Sequence, residues 1–254
     1  MIMNLIVRNS LRVFLFFMGL FTYQAAFSQD VVVQDEIKNG HYFEKSGELS
    51  LDGNYVDGLK DGTWTTYYPT GLLKKVEQFS NGKRNGIVIE IDNKGSIVSQ
   101  ANYKNNQLNG VSKAYGRNGR LSWVKHYNMN KLDGSAKTYY ESGKVQEESW
   151  YKNDLRDSIS KWYDTEGNLV ARYQYREGKF EGKSVTFFAN GSVKTEKVYL
   201  ADQLHGEYKE FYENGTLRQS GNYVYGKKDG TWTAYDETGK LLSTEKYKFG
   251  ELKK

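Results

Sequence analysis

The chain has 254 residues, among them 26 glycines, 21 tyrosines, one proline and no cysteine, and its formal net charge is +5. The missing cysteine excludes disulfides, thiolate metal sites, cysteine nucleophiles and a lipid-bearing N-terminal cysteine. The mixed signs of charge along the chain argue against a nucleic-acid partner, which calls for a concentrated basic stripe. An aromatic share of 15% with almost no proline argues against a disordered tail and suits short strands joined by tight turns.

At the N-terminus, Arg8 and Arg12 precede a largely apolar run from Val13 to Phe27, and Ala26-Phe27-Ser28 places small residues at the −3 and −1 positions of a cut before Gln29. That order is the form of a secretory signal peptide, expected at residues 1–28 and cleaved near Ser28/Gln29. The clearly apolar core, Val13 to Phe21, is about half the length of a membrane-spanning helix. The expected location is therefore outside the cytoplasm: periplasmic, on the outer surface, or secreted. Residues 29–36 read as a short leader, and residues 37–254 as one repeat domain.

The repeat has a period of 24. Glycine stands at Gly71, Gly95, Gly119, Gly143, Gly167, Gly191, Gly215 and Gly239. Two residues after each comes a branched aliphatic residue (Leu73, Ile97, Leu121, Val145, Leu169, Val193, Leu217, Leu241), and eight after comes an aromatic one (Phe79, Tyr103, Tyr127, Tyr151, Tyr175, Tyr199, Tyr223, Tyr247). Four before stand Tyr67, Ile91, Tyr115, Tyr139, Tyr163, Phe187, Phe211 and Tyr235. A second glycine column opens each unit at Gly62, Gly86, Gly110, Gly134, Gly182, Gly206 and Gly230, broken only by Ser158. A weaker copy with Phe43, Gly47, Leu49 and Tyr55 precedes these, giving one degenerate plus eight regular units, as capped repeat arrays have.

Within residues 133–156, Ser135 to Tyr140 reads as a strand, Glu141-Ser142-Gly143 as a turn, Lys144 to Tyr151 as a second strand, and Lys152 to Ser158 as the return turn. The two residues before the invariant glycine vary freely, including Pro69-Thr70, so the loop is expected to be a type I turn followed by glycine in the left-handed conformation. That loop sets Tyr139 opposite Val145, and simple alternation carries the same face on to Tyr151. The fold class expected is all-β: an elongated single-layer antiparallel meander of 24-residue hairpins.

A unit of this form, best seen in DGTWTTYYPTGLLKKVEQFSNG (61–82), HGEYKEFYENGTLRQSGNYVYG (205–226) and DGTWTAYDETGKLLSTEKYKFG (229–250), resembles the MORN repeat family in its bacterial variant. Members of that variant are often described as antitoxins of toxin–antitoxin pairs. The resemblance covers about residues 37–252. It implies an extended sheet that docks partners, and it implies no catalytic residues.

The residues themselves offer little chemistry. His41, His126 and His205 fall at unrelated repeat positions, carboxylate pairs such as Glu147-Glu148 and Asp236-Glu237 suit solvated strand or turn positions, and no strand–glycine loop–helix unit exists to cradle a phosphate. No enzyme, metal or cofactor is expected. The candidate binding residues are aromatic: Trp64, Trp150, Trp162, Trp232, Tyr140, Phe188, Tyr208 and Tyr212, placed by parity on the face opposite the ladder columns, as cover for a thin sheet or as an exposed stripe for a partner. The expected function is an exported protein-binding scaffold. The alternatives are a glycan or cell-surface binding module, peripheral binding to an anionic membrane, or an antitoxin, and exposed end strands allow a homodimer.

Overall fold

The computed structural model describes residues 38–253, so the expected signal peptide at 1–28 and the leader at 29–36 lie outside the described residues. The described residues form one open antiparallel sheet with no helix. Its strands are β1 (Gly40–Ser46), β2 (Leu49–Val56), β3 (Leu59–Tyr67), β4 (Leu73–Ser80), β5 (Lys83–Ile91), β6 (Ile97–Lys104), β7 (Gln107–Tyr115), β8 (Leu121–Asn128), β9 (Lys131–Tyr139) and β10 (Val145–Lys152). They continue as β11 (Leu155–Arg156), β12 (Ser158–Tyr163), β13 (Leu169–Arg176), β14 (Lys179–Phe180), β15 (Gly182–Phe187), β16 (Val193–Leu200), β17 (Gln203–Phe211), β18 (Leu217–Val224), β19 (Lys227–Tyr235), β20 (Leu241–Lys248) and β21 (Glu251–Lys253). Each pairs with its neighbours in chain order. Short breaks at Asp157 and Glu181 divide what would be single strands into β11 and β12, and into β14 and β15, so β10 pairs with both β11 and β12.

The turn after each first strand is the one the sequence implies. Gly143 N–H donates to the Tyr140 carbonyl at 2.8 Å, Tyr140 N–H donates to the Lys144 carbonyl at 2.9 Å, and Gly143 has φ +89°. This is a type I turn followed by a left-handed residue that glycine adopts without penalty. Pro69 occupies the first turn position, between Tyr68 and Gly71, where its fixed φ fits.

The return turn is tighter than the seven-residue segment expected. Only Asn153 (φ +49°) and Asp154 (φ +70°) separate β10 from β11, a two-residue type I′ turn. The same pair of positive φ values recurs at Asn81-Gly82, Asn105-Asn106 and Ala201-Asp202. Consecutive return turns are tied together: Asp154 N–H donates to the Leu132 carbonyl at 2.9 Å, and the Asp154 carboxylate accepts the Leu132 N–H at 2.7 Å. Strand β9 accordingly starts four residues before the expected Ser135 and takes in Gly134. The second glycine column therefore lies within strands, with Gly134 (φ +111°) directly opposite Tyr151.

One expectation about faces is overturned. Tyr139 does lie opposite Val145, but the register then shifts so that Glu147 faces Thr138, leaving Gln146 as an extra residue. The same bulge follows at Thr66/Tyr67, Trp162/Tyr163 and Ala234/Tyr235. One inserted residue reverses parity in a period-2 strand. Tyr139 and Tyr151 therefore stand on opposite faces, and the columns are divided between the two sides of the sheet.

The face that carries Tyr151 holds the core. Its fully buried centre runs Trp64 (2% exposed), Val88, Ser112, Ala136, Ser160, Ser184 and Trp232 (3%), with half-buried Tyr208 in the same column. Sequence comparison of units misses this column because its chemistry ranges from tryptophan to serine. The two tryptophans fit because glycine stands beside them: Trp64 lies over Gly53 and Trp232 over Gly221, as close packing demands. Smaller members face partners of varied size, Ser160 facing Tyr173, Ser112 facing Lys125 and Ala136 facing Ser149.

Candidate functional site

The eight aromatic candidates do not share a face. Trp64 packs edge-on to Tyr55 at 5.0 Å and Phe79 at 6.4 Å, Trp162 to Tyr173 at 5.2 Å, and Trp232 to Tyr223 at 5.0 Å. Tyr208 meets the same Tyr223 at 5.6 Å. These four therefore belong to the ladder face rather than the one opposite, for the bulge places them there. Such pairs contribute about 0.5–1.5 kcal/mol beyond simple burial.

Tyr140, Phe188 and Tyr212 line the rim of first turns, half-buried. The Tyr140 hydroxyl donates to the Tyr163 carbonyl at 2.7 Å, Tyr212 to the Tyr235 carbonyl at 2.9 Å, and Tyr68, at the same repeat position, to the Ile91 carbonyl at 2.8 Å. In each case the next unit carries aspartate at this position, and that aspartate holds its own turn. Asp92 accepts the N–H of Lys94 and of Ser96 at 2.9 Å, Asp164 that of Asn168 at 2.8 Å, and Asp236 that of Lys240 at 2.9 Å. Hydrogen bonds hold all three carboxylates below the usual range, chiefly from the Ser96 N–H for Asp92, the Asn168 side-chain amide for Asp164 and the Thr238 hydroxyl for Asp236. At three places a tyrosine and the next unit's aspartate thus pair as cross-turn and within-turn fasteners, a pairing legible only once the units are stacked; Gly116 and Phe188 interrupt the series.

Trp150 alone of the eight is an exposed side chain, at 50%, on the face that carries Tyr139. Around it that face is charged. The Lys137 ammonium donates to Glu148 at 2.7 Å, and the Tyr163 hydroxyl donates to the same carboxylate at 3.0 Å. Lys137 and Tyr163 hold Glu148 below its ordinary pKa against the cost of burial.

At the middle of the ladder face, Arg156 donates to Glu147, to Ser149 at 2.7 Å and to Ser160 at 3.4 Å. Its guanidinium also lies 5.3 Å from the ring centres of Tyr151 and Trp162 and 5.7 Å from that of Tyr175. Lys60 and Lys228 repeat the motif at 4.0 Å from Trp64 and 4.2 Å from Trp232. These cations sit at one repeat position, just after the return turn, and stabilise the ladder by attraction to the ring faces.

Two half-buried phenols give a pH signature. Desolvation, aided by a hydrogen bond to Glu148 for Tyr163 and by nearby Glu210 for Tyr208, raises both to about 12 from 10.0. A raised folded-state pKa contributes stability that is complete below the unfolded value and drains as pH climbs through the folded one. Melting temperature is therefore expected to hold up to about pH 10 and to fall between there and 12. Glu148, shifted down, acts in the opposite sense: its contribution is lost as pH drops below the ordinary glutamate range. Thermal melts followed by circular dichroism check both limbs, and the double variant Tyr163→Phe, Tyr208→Phe should make the alkaline one shallower, Tyr127, Tyr151, Tyr175, Tyr199 and Tyr223, raised by desolvation too, keeping the rest.

Among the described residues there is no group of three or more histidine, aspartate and glutamate side chains placed to hold a metal ion, and His41, His126 and His205 stay apart. No curated protein matches the chain. The family model described as MORN repeat variant matches residues 60–81, 132–153, 204–225 and 228–249. Each match starts at the second residue of a first strand, β3, β9, β17 or β19, and stops at the first residue of a return turn, so the matched unit is the hairpin itself. MORN repeats are a non-catalytic repeat type that generally binds proteins or membranes. Four hairpins of the chain thus match the MORN repeat variant, and the hairpins zip edge to edge into one sheet.

Proposed function

We propose that this chain is an exported, non-catalytic scaffold that binds protein partners in the cell envelope or outside the cell. The observation that carries the reading is the rim of return turns. Met129, Tyr225 and Phe249 open three of these turns at φ +47°, +48° and +49°, and their side chains are 63%, 62% and 57% exposed. A non-glycine residue in this left-handed region costs about 1 kcal/mol, and an exposed apolar side chain gains nothing from water. Strain and apolar exposure at one position are the mark of a surface kept for contact. Val56, Leu59, Leu155 and Leu200, also exposed, extend the same rim. Export is supported by the basic, apolar, small-residue order of residues 1–28.

The test is to replace Met129, Tyr225 and Phe249 with asparagine, which tolerates positive φ. Each substitution is expected to leave stability unchanged or raise it by up to about 1 kcal/mol, while the triple variant loses the protein that the wild-type chain crosslinks in cells. Crosslinking that survives all three substitutions would remove the rim from consideration. N-terminal sequencing of the chain recovered from the envelope fraction or medium should read from Gln29; a chain retained in the cytoplasm would overturn the export reading.

A further inference from the structure

Across the charged face a single row of side chains can be followed strand by strand: Lys113 opposite Val124, Val124 opposite Lys137, Lys137 opposite Glu148, Glu148 opposite Lys161, and Lys161 opposite Arg172. Like charges set directly opposite each other weaken a sheet, and Lys161 and Arg172 are such a pair. The nearest acid, Glu148, is already engaged by the Lys137 ammonium at 2.7 Å and the Tyr163 hydroxyl at 3.0 Å. Beyond Arg172 the row continues to buried Val185, which supplies no counter-charge. Lys161 is drawn to Glu148 across the strands without forming an ion pair with it, and Arg172 has none, so two half-buried cations are held side by side among the described residues.

Trp150 lies on the same face, two residues along β10 from Glu148, and is 50% exposed. No aromatic ring or cation packs on its indole among the described residues. Exposed Gln174 is two residues along β13 from Arg172 on the same face, opposite Ile159, which is 48% exposed. A free indole, an amide and a surplus pair of cations on a flat surface match a sugar ring bearing a carboxylate. The ring gives an apolar face to stack, hydroxyls meet the amide, and the carboxylate settles between Lys161 and Arg172. Lys113, Lys137 and Lys161 also recur on every second strand, a spacing of about 10 Å, close to the length of a disaccharide. The geometry points to a binding site for an acidic polysaccharide on this face, centred on Trp150, Lys161 and Arg172 and read along the lysine row. This site is separate from the protein-docking rim and does not depend on it.

The experiment titrates the mature chain with polygalacturonate, with dextran as a neutral polymer and poly-glutamate as an acidic polypeptide, following tryptophan fluorescence and confirming by co-sedimentation. The wild type is expected to bind polygalacturonate, less tightly as salt rises, and to bind poly-glutamate at least tenfold more weakly and dextran not measurably. Trp150→Ala and Arg172→Ala should each weaken polygalacturonate binding at least tenfold, with Lys94→Ala at the turn rim as an unaffected control. Arg172→Glu separates site from fold. It leaves Lys161 between Glu148 and a second carboxylate and has only Val185 on its other side, so a repulsive pair becomes attractive and the melting temperature should rise while binding is abolished. The inference is overturned if the wild type does not bind polygalacturonate, if poly-glutamate binds equally well, or if the folded variants bind as the wild type does.

Discussion

Alanine at Gly221 is expected to destabilise the protein by about 1–3 kcal/mol, and to cost almost nothing once Trp232 is also alanine. A Cβ added at Gly221 would sit 2.2 Å from the Trp232 ring, inside any real carbon–carbon contact, and the ring cannot retreat. It is 3% exposed, flanked by Tyr208 at 5.5 Å, Tyr223 at 5.0 Å and Tyr247 at 6.5 Å, and its indole N–H donates to the Asn222 carbonyl at 3.2 Å. Trp232→Ala alone should cost about 3–5 kcal/mol, the range for an emptied aromatic site. The double variant then measures the coupling, expected at about 1–3 kcal/mol in favour of the pair. Denaturant melts of the four proteins give the cycle. Because each unit leans mainly on its neighbours, amide exchange should show the loss concentrated in β17 to β20 rather than spread along the sheet. Strictly additive costs would mean that the close approach of ring to glycine is not what selects glycine there. The Gly53 and Trp64 pair, with 2.3 Å in the same sense, should behave alike.

Removing the guanidinium of Arg156 is the second large effect. Arg156 and Glu147 are 27% and 19% exposed, and the pair is enclosed by Ser149, Ser160 and three rings. Arg156→Met leaves the Glu147 carboxylate largely desolvated without its partner, a change expected to cost about 3 kcal/mol. Adding Glu147→Leu removes that stranded charge, so the double variant should recover most of the loss. Arg156→Lys keeps the charge but cannot reach Glu147, Ser149 and Ser160 from one planar group, and should fall between. Equilibrium unfolding in urea reads all four. A cost below about 1 kcal/mol for Arg156→Met would place the pair among solvated surface bridges.

Much of the fold is legible in residues 37–254 because a repeat repeats its constraints. The type I turn with a left-handed glycine follows from an invariant Gly143 column behind two freely varying residues, and it is formed at every regular unit. The return turn was legible in part. Asn153-Asp154 and Asn81-Gly82 have the composition of a type I′ turn, but Met129, Tyr225 and Phe249 at the same position hide the pattern, since these residues disfavour the conformation they adopt. Stacking on the neighbouring turn, as from Gly226 N–H to the Leu204 carbonyl at 2.8 Å and from Gly250 N–H to Lys228 at 2.8 Å, imposes it on them. The candidate residues fared differently. Eight aromatics were identifiable, yet their common face was not, because a single extra residue in each second strand reverses every side chain after it.

The sequence alone determined the period, the hairpin, the site of each turn and the antiparallel order, because these follow from glycine placement and short-range alternation. Only the tertiary structure decided which columns share a side, which tryptophans are buried, and where opposing cations are left over. Those properties depend on what stands across the neighbouring strand, at a register fixed by bulges. A buried centre that runs from Trp64 through Ser160 to Trp232 is therefore continuous in space and unreadable along the chain.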